Sequence, residues 1–146
     1  MEQIIIRPMQ QEDLPECAAI EQYAPDPWTQ KQMQEELLFE SARLFTAWMG
    51  ETIVGLAAFQ LAADELTLNT ITISPKFRQQ GIANQLLTQT LEQLKQQGAV
   101  CCFLEVRSQN LPARRLYQKL GFAEAGTRRG FYKNPSDDAI VMNKML

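Results

Sequence analysis

The chain has 146 residues, 45% of them hydrophobic and 21% charged, which suits one domain spanning 1–146 that buries a core without disulfide or metal staples. Its formal net charge of −3 gives no electrostatic footprint for nucleic acid or an anionic membrane, and suits a cationic amine or basic peptide better. Histidine is absent, which excludes Ser-His-Asp and Cys-His nucleophilic chemistry and His-containing zinc sites, and leaves Asp, Glu, Tyr, Lys, Cys or water as a general base. The cysteines, Cys17, Cys101 and Cys102, match neither a disulfide framework nor a metal site. They read as small buried hydrophobes in a reducing cytosol, and no metal is expected. No stretch approaches the roughly 18 apolar residues of a membrane span. The start Met1-Glu2-Gln3-Ile4 lacks the basic segment of a signal peptide, so a cytoplasmic protein is expected.

In chain order, Ile4 to Arg7 is a β-branched run ended by Pro8 and reads as a strand. Leu14, Cys17, Ala18 and Ile20 recur at helical spacing between Asp13 and Gln22. Thr29-Gln30-Lys31-Gln32 has the form of a capping box, with Trp28 as the staple residue, and predicts a helix running to about Glu40. Arg43–Met49, Thr52–Leu61 and Glu65–Ile73 read as three consecutive strands joined at Gly50-Glu51 and at Ala62-Ala63-Asp64. In the third, Leu66, Leu68, Thr70 and Thr72 alternate against Thr67, Asn69, Ile71 and Ile73. Ile82, Leu86, Leu87, Thr90, Leu91 and Leu94 form a helical stripe closed by Gly98. Cys101–Val106 reads as a buried strand, Pro112–Leu120 as a helix stopped by Gly121, and Phe122–Thr127 with Ala139–Met145 as a closing strand pair. The sum is an α/β fold with a mixed sheet of about seven strands and four helices.

The segment Ile71-Thr72-Ile73-Ser74-Pro75-Lys76-Phe77-Arg78-Gln79-Gln80-Gly81-Ile82-Ala83-Asn84 joins a strand to a helix. The first N–H groups of a helix lack intrahelical partners and carry the positive end of its dipole, so such a turn suits phosphate. Gly81 allows close approach, Ala83 is nearly as small, and Arg78 adds charge. The loop is neither G-x-x-x-x-G-K-[ST] nor G-x-G-x-x-G, and a solvated loop with Gly81 serving local geometry is an equal reading of these residues alone.

Arg78-Gln79-Gln80-Gly81-Ile82-Ala83 resembles the R/Q-x-x-G-x-G/A motif of the GNAT family of N-acetyltransferases. The resemblance runs through nearly the whole chain, including Asn69–Ile73, Leu104-Glu105-Val106-Arg107, Asn110, Ala113, Leu116-Tyr117 and Leu120-Gly121-Phe122. Within the family, Pro27-Trp28-Thr29, Arg128-Arg129, Phe131-Tyr132 and Asp138-Ala139-Ile140-Val141-Met142 are similar to the ribosomal-protein-alanine N-acetyltransferase group. Ala83 stands where glycine is common, and Phe131 where a tyrosine is more usual.

The resemblance implies a GNAT fold, acetyl-CoA as co-substrate and a protein N-terminus as acceptor, that of ribosomal protein S18. It implies that the backbone of Ile71, Thr72 and Ile73 holds the acetyl-pantetheine arm. It further implies that Gln79, Gln80, Gly81, Ile82, Ala83 and Asn84 cradle the pyrophosphate and that Asn110 contacts the cofactor further along. By residue chemistry, Glu105 at the end of an apolar strand is either a solvated charge, a partner of Arg107, or a partly desolvated base. Tyr117 beside Leu116 and Leu120 is either a core tyrosine or a general acid. The resemblance implies that Glu105 accepts the proton of the amine and Tyr117 protonates the thiolate, with a backbone N–H of Asn69–Ile73, freed by a bulge, polarising the carbonyl. Glu35, Glu36, Glu40, Asp64 and Glu65 offer an acidic approach for a basic peptide, or equally a solvated face. Lysine side chains or a small amine as acceptor, a non-catalytic acyl-CoA-binding module and a cofactor-free interaction domain are the rival readings.

Overall fold

A computed structural model describes residues 3–146 of the protein. The leader reading rests partly on Met1 and Glu2, which lie outside the described residues. Seven strands form one mixed sheet in the order β1-β2-β3-β4-β5-β7-β6. They are β1 (Ile4–Pro8), β2 (Ala42–Met49), β3 (Thr52–Ala62), β4 (Glu65–Ile73), β5 (Cys101–Arg107), β6 (Ala123–Tyr132) and β7 (Asp137–Met145). Only β4 and β5 run parallel, because the helix between them returns the chain to the same edge. The four helices are α1 (Leu14–Glu21), α2 (Gln30–Glu36), α3 (Ile82–Gln96) and α4 (Leu111–Lys119). No helix of the described residues is long and apolar enough to cross a membrane.

Two cores sandwich the sheet. On one face, Ile82, Leu86, Leu87, Leu91 and Leu94 of α3 and Tyr117 of α4 pack on Phe45, Val54, Phe59, Leu66, Leu68, Cys102 and Leu104. Each such side chain, fully buried, contributes about 1.5–3 kcal/mol. On the other face, Leu14, Cys17 and Ile20 of α1 and Met33 of α2 cover Leu44, Ile53, Leu56 and Ala58. The capping box forms as expected: the Gln32 N–H donates to Thr29 Oγ1 at 3.1 Å and the Thr29 N–H to Gln32 Oε1 at 2.7 Å.

Three sequence expectations need correction. α2 stops at Glu36 rather than near Glu40, because the chain tightens into turns in which Leu38 and Phe39 bond back to Glu35 and Glu36. β6 runs on through Arg128-Arg129-Gly130 to Tyr132, so the final strand pair is longer than its apolar segments. The alternation along β4 does not persist: Phe59 pairs with Leu68 and Ala58 with Thr70, leaving Asn69 as a bulge. One surplus residue shifts a period-two pattern by one step. Ile71 and Ile73 therefore join Leu66 and Leu68 on the α3 side, while Thr70 and Thr72 turn toward α1.

Candidate active site

The parallel pairing of β4 and β5 covers only Glu65–Leu68 against Cys101–Leu104. Beyond Leu68 the bulge twists β4 away, while β5 stays paired with β7 as far as Arg107. The backbone of Asn69–Ile73 on its β5 side is thereby released from the sheet, and a gap opens between the strands. Two cavities adjoin it, of about 890 Å³ and about 380 Å³. They share Ala24, Pro25, Ile71, Ile73, Ala83 and Leu116 as lining, so they form one continuous groove.

The larger cavity takes in the turn before α3. Gly81 caps this helix in the left-handed region with φ +77°, and Gln79 has φ +63°. No side chain caps α3; its first backbone bond runs from the Gln85 N–H to the Gly81 carbonyl, so the N–H groups of Ile82, Ala83 and Asn84 face the cavity without a helical partner. A Cβ built on Gly81 would meet no atom within 4 Å, so open space lies where an anion would approach. Thr72, Gln79, Gly81, Ile82, Ala83 and Asn84 line this cavity, as do Arg78, Arg115 and Lys119. Gln80 of the expected cradle is exposed and is not part of the wall. Arg115 and Lys119 were missed in the sequence; their i, i+4 spacing on α4 was the available signal.

The smaller cavity brings Glu105 and Tyr117 together with Asn110, Asn69, Trp28, Phe131 and Tyr132. Glu105 alternates with Leu104 and Val106, which belong to the α3-side core, so its carboxylate points to the opposite face. Tyr117 comes from α4 on the α3 side. A continuous sheet would keep them apart; the gap lets groups from both faces line one space. Glu105 is exposed, and its Oε2 lies 3.5 Å from Arg128 Nε, not against Arg107. Tyr117 is buried, packed edge-on to Phe122 at 5.8 Å; burial, with Tyr132 and Cys102 adding to it, pushes its hydroxyl well above the ordinary tyrosine pKa. Asn110 lines the cavity but also caps α4, its Oδ1 accepting from the Ala113 N–H at 3.3 Å.

Arg107 is buried and committed elsewhere. Its Nε and Nη2 donate to both oxygens of Asp26 at 2.9 and 2.7 Å. Glu21, fully buried on α1, accepts from Thr72 Oγ1 at 2.6 Å, Thr70 Oγ1 at 3.1 Å and the Trp28 N–H at 3.0 Å. The thiols of Cys17 and Cys102 are pushed up to about 12, by burial first and then by Asp13 and by Cys101 respectively. Among the described residues no cluster of three or more His, Cys, Asp or Glu side chains is placed to hold a metal. Of the acidic residues, Glu35 and Glu36 share a small groove with Trp28 and Phe39, whereas Asp64 and Glu65 sit at the far end of β4 from the cleft.

The acetyltransferase (GNAT) family model matches residues 9–122. The chain belongs to this family. Among curated GNAT relatives, the [ribosomal protein bS18]-alanine N-acetyltransferase of Escherichia coli (strain K12) is 35% identical over 133 residues, 89% of each chain. The enzyme of the same description from Salmonella typhimurium (strain LT2) is 36% identical over 135 residues, again 89% of each chain. The crystal structure of the ribosomal-protein-S18-alanine N-acetyltransferase from Escherichia coli superposes with a TM-score of 0.91 at 32% identity, over 98% of this chain and 94% of that one. Ard1 from Thermoplasma volcanium shares the fold, with a TM-score of 0.88 at 22% identity over 98% and 97% of the two chains. This GNAT chain is therefore an acetyltransferase whose mixed seven-stranded sheet and four helices are those of its family.

Proposed function

We propose that this chain, acting as one catalytic domain over residues 1–146 in the cytosol, transfers the acetyl group of acetyl-CoA to the N-terminal α-amino group of a protein. The acceptor on this reading is the N-terminal alanine of ribosomal protein S18, after which its Escherichia coli and Salmonella relatives are named. The observation that carries the reading is the gap past Leu68 and Leu104, which puts a carboxylate and a phenol in one cavity beside an uncapped helix start.

The residues present fit acetyl-CoA. The uncapped N–H groups after Gly81 suit a pyrophosphate, and Arg78, Arg115 and Lys119 supply countercharge for further phosphate. The freed backbone of Ile71, Thr72 and Ile73 suits the amide-bearing pantetheine arm. Asn110, from the edge of the smaller cavity, reaches the cofactor further along. Acetyl-CoA supplies an acyl carbonyl activated as a thioester. The chain's own part is to hold the amine beside that carbonyl in a ternary complex. Glu105 takes a proton from the incoming ammonium, directly or through water. Tyr117, kept protonated by burial, holds a proton for the departing sulfur. A backbone N–H at the Asn69 bulge is available to the carbonyl oxygen. The three cysteines are buried and raised in pKa, which favours direct transfer over a covalent acyl-enzyme.

The test offers an S18 N-terminal peptide, lysine peptides and small amines with acetyl-CoA and maps the product by mass spectrometry. Acetylation of the α-amino group is expected. Acetyl groups only on lysines or small amines refute the acceptor assignment, and tight acetyl-CoA binding without any product restores the non-catalytic module. Glu105→Gln is expected to lower turnover by about 10²-fold or more. An undiminished rate at neutral pH removes Glu105 from the base role.

A further inference from the structure

We propose that Asp26 and Arg107 are positioning residues that lock the two walls of the acceptor cleft into one unit. The inference rests on the acceptor reading above and names the device that sets the cleft's width.

Arg107 ends β5 between two segments that have no regular structure of their own. One is residues 22–29, between α1 and α2, which contributes Ala24, Pro25, Asp26 and Trp28 to the cleft. The other is residues 133–136, the turn that follows Phe131 and Tyr132 on β6. The guanidinium grips Asp26 in a two-pronged pair, donates from Nη1 to the Pro135 carbonyl at 2.7 Å and from Nη2 to the Lys133 carbonyl at 3.1 Å, and lies 4.5 Å over the Tyr132 ring. Among the described residues, these two segments are joined by hydrogen bonds only through this one side chain.

A purely stabilising role does not account for the arrangement. Asp26 is 44% exposed, and half-exposed ion pairs contribute little, while burying a guanidinium carries a desolvation cost. What the pair does specify is geometry. A planar fork with five donors fixes both the direction and the spacing of what it holds, which a lysine ammonium does not. Four of the five guanidinium N–H groups are engaged, two of them on Asp26, so Arg107 neutralises Asp26; Glu105, held only by the longer 3.5 Å contact with Arg128, is the carboxylate that an ammonium meets in the cleft. Glu21 anchors the same loop from inside through the Trp28 N–H, so the Asp26 end is the one whose position depends on Arg107.

Asp26→Asn and Arg107→Lys test this, with hydrogen–deuterium exchange of the unliganded enzyme as the first measurement. Asp26→Asn is expected to speed exchange in residues 22–29 and, through Arg107, also in 131–136; Asp26→Glu is expected to restore the parent pattern. The kinetic expectation is a KM for the acceptor raised about tenfold or more, with acetyl-CoA KM within about twofold of the parent. Faster exchange confined to 22–29, or acceptor and acetyl-CoA KM rising together, overturns the proposal. If the parent acetylates no peptide, the acceptor reading fails, and the exchange experiment alone decides whether the clamp exists.

Discussion

Replacing Glu21 with alanine probes the buried network most directly. The carboxylate has no exposed surface and accepts from three donors: Thr70 and Thr72 hydroxyls and the Trp28 N–H. Hydrogen bonds to a charged acceptor contribute about 1.5–3 kcal/mol each. The sum overstates the loss, because both hydroxyls can rotate and the buried charge no longer has to be desolvated. The Trp28 N–H has no such freedom. A loss of about 3 kcal/mol is expected, from the Trp28 N–H left without its partner, about 1–3 kcal/mol, together with the cavity the side chain vacates. With an unfolding entropy of about 2.1 cal/mol/K per residue, that corresponds to a Tm lower by about 10 °C for a chain of this size. Urea unfolding at pH 7 measures it, with Glu21→Gln as a shape-preserving companion. Glutamine fills the same volume but turns an N–H₂ toward one donor, so a smaller loss of about 1–2 kcal/mol is expected. An alanine variant within about 1 kcal/mol of the parent refutes the reasoning, since the vacated side-chain volume and the unpaired, half-buried Trp28 N–H together cost more than that.

Gly81→Ala places a Cβ at φ +77°, costing about 1–2 kcal/mol in stability, and fills the open space before α3. Its affinity for coenzyme A is expected to fall about tenfold or more by calorimetry, and an unchanged affinity removes the anion from this turn. At pH 8 Cys17 and Cys102 of the native protein are expected to resist Ellman's reagent for minutes and all three thiols to react after denaturation, because burial raises Cys17 and Cys102 to about 12; rapid titration of more than one thiol in the native protein would contradict it. Tyr132 is pushed from 10.0 to about 12 by burial, with Asp26 and Glu105 adding to it. The folded state thus holds this proton more tightly than the unfolded one, so its contribution is intact below pH 10.0 and is lost as pH rises to about 12. Tyr132→Phe is expected to flatten the fall of stability over that window in urea titrations, and identical slopes would contradict it.

Element order was readable because periodicity and punctuation agree along the chain. The stripe from Ile82 to Leu94, the Thr29 box and the stops at Gly98 and Gly121 each specify local geometry from neighbouring residues. The Asn69 bulge was implied only by family likeness; by itself β4 reads as unbroken alternation, since polar threonines fit either face. The contacts that shape the cleft were not legible at all. Glu21 meets Thr72 across 51 positions and Arg107 meets Asp26 across 81, and nothing local in Glu21 or Asp26 distinguishes them from surface acids. The same distance problem hid the choice of Arg128, rather than Arg107, as the neighbour of Glu105.

The unpaired residue at position 69 works as a spacer. On either side of it the pairing with β3 resumes at consecutive partners, Phe59 with Leu68 and Ala58 with Thr70. Deleting Asn69 would therefore leave Ile71 and Ile73 on the α3 side and the hydroxyls of Thr70 and Thr72 toward Glu21. What the deletion would remove is the local twist that carries β4 away from β5, and with it the room between the two strands. An exchange of the Asn69 side chain keeps that surplus length of backbone, so loss of the residue strikes the cleft while sparing both cores.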